Sequence, residues 1–172
     1  MTRREPQYWR QLGTLAVRLT DLMNHQGGLD GAVHTITTLH CIHGPEAITD
    51  LAAILVGVAQ GGCPDALIGS DGRPDPQRVL RGAAADVLHS RGFAAAQPLT
   101  GPMVTHGTRR GPAGAGQVTP LQLVSAALVA APRMPTLVAT LRPAARDVRL
   151  ASGVLAYAIL AVRNVENALL GR

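Results

Sequence analysis

Two stretches rich in Ala, Leu and Val, with apolar residues recurring at three- and four-residue steps, flank a basic segment from Ala94 to Val118 that is loaded with Gly and Pro. This contrast constrains the fold more than any motif in the chain. Apolar residues at helical spacing predict amphipathic helices on both sides, and no stretch shows the strict alternation of a half-buried strand. The segment 94–118, with Pro98, Pro102, Pro112 and five glycines, predicts a long flexible basic loop, because a compact domain rarely holds so many residues without secondary structure. The expectation is an all-α bundle of five or six helices, one domain over residues 1–172. In it an N-terminal four-helix block and a C-terminal helical pair share a core.

Individual helices follow from stripes and stop signals. From Tyr8 to Asn24, the residues Trp9, Leu12, Ala16, Leu19 and Met23 fall on one stripe, and Gly27-Gly28 stop the helix. From Leu29 to Ile42, the face is Leu29, Val33, Ile36 and His40, closed by Gly44-Pro45. The third helix, Pro45 to Gln60, is apolar nearly all round and therefore reads as the most buried element. Asp75-Pro76 is an N-cap and first-turn pair for a fourth helix reaching Arg91, with Gly92 behind it. Thr119-Pro120 opens a fifth to Ala131, after which Pro132, Pro135 and Pro143 punctuate the chain.

The last helix, Pro143 to Leu170, carries Val148, Ala151, Leu155, Ala158, Val162, Val165 and Leu169 in alternating steps of three and four. Such a seam fits a neighbouring helix of the same chain or a second copy, so self-association through this helix is an expectation.

Only four aromatics (Tyr8, Trp9, Phe93, Tyr157) occur, so small aliphatic side chains must build the core and helix axes must approach closely. All sixteen positive side chains are arginine, which together with the alanine bias fits a high-GC bacterial genome. The net charge of +5 favours an anionic partner: acidic protein, nucleic acid or an acidic surface. The N-terminal MTRREPQYWRQ lacks the apolar run of a secretory signal, so a cytoplasmic protein is expected. The charge-free apolar windows 51–62, 118–131 and 150–162 fall short of the roughly 20 residues a membrane span needs, which predicts no such span. Cys41 and Cys63 then read as reduced thiols.

Arginine supplies the candidate contacts. Arg109-Arg110 lie in the loop, and Arg142, Arg146 and Arg149 fall at i, i+4 and i+7 of the last helix, one positive face suited to a phosphate backbone or an acidic protein. No helix-turn-helix, basic zipper region or set of stacking aromatics accompanies them, so any nucleic-acid contact would be led by the backbone.

A second, weaker constellation has metal-ligand types: His40, Cys41 and His43 at the end of the second helix, Cys63 after the third, and Asp86 and His89 on the fourth. No CxxC, HExxH or Glu-x-x-His spacing supports it. Cys63, after two glycines and before Pro64, is also where a nearby helix start would make a thiol nucleophilic, yet no base adjoins it. Ser125 and Ser152 lack a G-x-S-x-G elbow, and the glycines around 111–116 follow no strand and lack the Lys-Ser/Thr of a phosphate loop. No cofactor is specified. The expected function is a non-enzymatic interaction or regulatory protein meeting an acidic partner, nucleic-acid backbone included; the alternative is a bundle that binds a metal or small ligand, with or without catalysis.

Overall fold

The computed structural model describes residues 5–23, 28–82 and 118–171. Among these, seven α-helices form a bundle and no strand occurs: α1 (Pro6–Met23), α2 (Gly28–His43), α3 (Pro45–Gly61), α4 (Pro76–Val79), α5 (Pro120–Val129), α6 (Met134–Leu141) and α7 (Val148–Leu169). Short 3-10 turns, Asp65–Leu67 and Arg142–Arg146, precede α4 and α7. The all-α expectation holds. The N-terminal block has its four helices, but the C-terminal pair is three helices and a 3-10 turn.

The centre is α3 against α7. In α3, Ile48, Leu51, Ala52, Leu55, Val56 and Ala59 are buried, as the apolar circumference implied. In α7, Ala151, Val154, Leu155, Ala158, Ile159 and Val162 are buried. Each large aliphatic side chain so enclosed contributes about 1.5–3 kcal/mol of hydrophobic stabilisation. One continuous cluster then runs through Leu12 and Leu19 of α1, Ile36 of α2, Val79 of α4, Val124 and Leu128 of α5 and Leu137 of α6. The two blocks therefore share a core.

Two contacts set the direction of the central pair. A Cβ on Gly62, just past α3, would lie 3.5 Å from Val165 Cγ1. The 142–146 turn, about 25 Å back along α7 from Val165 at 1.5 Å per residue, also packs on α3. Hence α3 and α7 run the same way, with the starts of both at one end of the bundle.

The seam expected on the last helix is filled from within the chain: Val148, Ala151, Leu155, Ala158, Val162 and Val165 are buried, while Leu169 is 61% exposed. α7 is 22 residues long and holds an 18-residue window of mean hydropathy 1.4, long and apolar enough to cross a membrane by length and composition when its charged residues are included, although its charge-free run remains 150–162. With 72% of its apolar window buried inside the protein, it is the core helix of the bundle.

Three boundaries differ from expectation. The fourth helix stops after one turn, because Leu80 leaves helical geometry and Gly82 takes φ 132°, a conformation glycine tolerates without strain. Residues 132–141, expected to be broken by prolines, contain α6, where Pro135 occupies the first turn. There its missing N–H costs nothing. The last helix does not run unbroken from Pro143: Asp147 is extended (φ −144°, ψ 124°) and its Oδ1 accepts from Arg149 N at 2.8 Å, capping a new helix. Elsewhere the caps follow sequence. Asp75 accepts from Gln77 N, Thr119 and Gln122 form a reciprocal capping box, and Gly44 at φ 74° turns the chain between α2 and α3.

Candidate functional site

The metal-type residues are separated by the rod that joins them. His40, Cys41 and His43 end α2, whereas Cys63 follows the far end of α3, a 17-residue helix about 25 Å long. Tyr8 of α1 stacks edge-on against His43 with centroids 5.7 Å apart, and against Trp9 at 5.5 Å. The Tyr8 hydroxyl donates to buried Asp50 Oδ2 at 2.8 Å. His43 is thus part of the packing that seats α1 on α2 and α3. His40 is half-buried, and its Nδ1 is enclosed without a hydrogen-bond partner among the described residues. No group of three or more His, Cys, Asp or Glu side chains able to hold a metal occurs among the described residues. Asp86 and His89 lie outside them.

Cys63 is half-buried, and burial pushes its thiol above the ordinary value of 9.0. It follows the carbonyl end of α3, where the helix dipole does not favour a thiolate. The nucleophile reading of this residue therefore finds no support in its surroundings. Cys41 is exposed.

The arginines are placed differently. Arg142 and Arg146 are exposed on the turn before α7. In a 3-10 turn, with three residues per turn, side chains four apart diverge by about 120° rather than sharing a face. The Asp147 break then sets Arg149 on a separate element. The single helical face expected for Arg142, Arg146 and Arg149 is therefore replaced by a corner with exposed guanidinium-bearing residues on both sides of it. Arg133, which sequence reasoning passed over, is exposed at the N-cap of α6. Its signal was Pro135 followed by Leu137 and Leu141 at helical spacing. Arg109 and Arg110 lie outside the described residues.

How the charges are used matters more than where they sit. The carboxylates of Asp71, Asp75 and Asp147 accept from main-chain N–H groups of their own turns: Arg73 N, Gln77 N and Arg149 N. Arg78 Nε pairs with Asp75 Oδ2 at 3.2 Å, and Arg149 has a partner of its own. Arg73 spends Nη1 on Val129 O at 2.8 Å. The guanidinium groups of Arg10, Arg18, Arg81, Arg133, Arg142 and Arg146 make no hydrogen bond or ion pair among the described residues. Three of the acids are tied to turns, and six of the ten described arginines are left to meet solvent.

No protein-family model, curated protein or solved structure matches the chain significantly.

Proposed function

We propose that this is a non-enzymatic interaction protein that engages an acidic macromolecule, best suited to the phosphate backbone of nucleic acid, through the arginine corner of Arg142, Arg146 and Arg149. The observation that carries this reading is the division of labour between charges: the carboxylates of Asp71, Asp75 and Asp147 hold main-chain N–H groups while Arg142 and Arg146 project without an acceptor among the described residues. A guanidinium fork matches two oxygens of a phosphate. The exposed residues of the turn are Arg142, Pro143, Arg146 and Asp147, with no aromatic to stack on a base, so contact is with the backbone and sensitive to salt.

The test is retention on heparin and on duplex DNA across a salt gradient. Arg142→Ala/Arg146→Ala elutes earlier than the parent, while Arg10→Ala/Arg18→Ala, on α1, serves as the charge-matched control. Equal retention of the two double variants removes the assignment to this corner, and failure of the parent to bind either matrix removes the reading itself.

A further inference from the structure

We infer that the opposite end of the bundle holds a second site, a cleft that binds a small phosphorylated molecule through Arg81. The cleft has a volume of about 420 Å³ and is lined by Arg78, Arg81, Asn164 and Asn167, with Ala66, Leu67 and Ala168 as its apolar wall. That volume lies within the roughly 300–1,000 Å³ typical of small-molecule sites. No carboxylate lines it among the described residues.

Its walls are fixed before any ligand arrives. Asn164 donates from Nδ2 to Val79 O at 2.7 Å and Arg81 O at 2.8 Å, which ties the segment after α4 to α7. Arg78 is held by Asp75 Oδ2 at 3.2 Å, Ala66 O at 3.2 Å and Ile68 O at 3.4 Å. Arg81 is different: its main chain is anchored by Asn164, but its guanidinium donates to nothing among the described residues. A cation beside the last turn of α7 would ordinarily serve that helix's free carbonyls. Arg81 donates to none of them, so among the described residues its five N–H groups have no acceptor and can meet a ligand.

The donor set selects phosphate over a lone carboxylate. Arg81 and the Asn167 amide bring N–H groups from two different elements, which suits an oxyanion with three acceptor oxygens better than a planar one satisfied by a single fork. The volume beyond the anion accommodates a sugar-sized group, so a phosphomonoester fits better than inorganic phosphate.

This site is separated from the Arg142/Arg146 corner by the length of α7, 22 residues or about 33 Å, and does not depend on it. The experiment is calorimetric titration of the intact chain with ribose 5-phosphate, inorganic phosphate, ribose and citrate. Ribose 5-phosphate is expected to bind more tightly than phosphate, and ribose not at all. Arg81→Ala is expected to weaken ribose 5-phosphate binding about tenfold or more, with its thermal melt unchanged because the side chain is exposed; Arg142→Ala/Arg146→Ala is expected to leave it intact. Absence of binding by the parent, or unaltered binding by Arg81→Ala, overturns the site. Citrate binding as tightly as ribose 5-phosphate overturns its selectivity for phosphate.

Discussion

The Asn164 amide donates to Val79 O at 2.7 Å across 85 residues of sequence, and its second N–H reaches Arg81 O at 2.8 Å. A continued helix would have used these same carbonyls for its next turn, so a side chain of α7 takes the place of the helix that α4 does not extend. Replacing Asn164 by Ala is expected to cost about 1–3 kcal/mol, the cost of leaving such carbonyls unpaired. Asn164→Asp costs more, because it turns a carboxylate toward two carbonyl oxygens. Urea denaturation of the two variants checks this; an Asp variant as stable as the parent would mean that the amide is not the clamp.

Gln60 does similar work at the end of α5. Its Nε2 lies 2.9 Å from Ala127 O, 2.9 Å from Leu128 O and 3.0 Å from Ala130 O, carbonyls at a helix terminus, where intrahelical donors run out, although Ala127 O also accepts from Ala130 N. Gln60→Leu keeps the bulk and removes the donor, and is expected to destabilise the protein by about 1–3 kcal/mol. Gln60→Glu is the more damaging change. Equilibrium unfolding of both variants gives the order.

For the arginine corner, the expected signature is a slope rather than a single affinity. Every arginine–phosphate pair that is abolished should reduce the dependence of log affinity on log salt by about 0.9 for duplex DNA. Arg142→Ala and Arg146→Ala are each expected to abolish about one such pair, and binding isotherms at several salt concentrations would show parallel lines if neither residue meets phosphate.

The two thiols should differ in behaviour. Cys41 is exposed and Cys63 half-buried with its thiol pushed above 9.0 by burial, so a thiol reagent at neutral pH labels Cys41 first, as mass spectrometry would show. The same shift sets the sign of an alkaline effect. Below pH 9 both folded and unfolded chains keep the Cys63 proton, whereas above it the unfolded chain loses the proton first and the native state loses stability as pH rises. Melting temperatures from about pH 8 to about pH 10.5 should therefore fall less steeply for Cys63→Ala than for the parent.

Much of the architecture was readable because the core is made by periodicity alone: Leu12, Ala16 and Leu19, or Leu51, Leu55 and Ala59, declare their buried faces by spacing. Features decided by neighbours or by a single cap were not readable. Pro135 resembles a helix breaker and acts as a helix starter; Asp147 resembles a surface residue within a helix and acts as its cap. The early stop at Val79 comes with Gly82 at positive φ, but the carbonyls it frees are served by Asn164, and no local pattern announces a partner 85 residues away. The candidate site divides the same way. Arg142 and Arg146 were found by residue type, whereas Arg81 gains meaning only from the cleft that α4 and α7 enclose.

The parallel placement of α3 and α7 also bears on synthesis. The first half of the chain carries one wall of its hydrophobic centre, and the wall that closes it is translated about 100 residues later, around residues 148–165. Until that stretch leaves the ribosome, α3 can rest on α1 and α2 but the side of it that meets α7 stays uncovered, and the nascent chain is exposed there to aggregation and to chaperone capture.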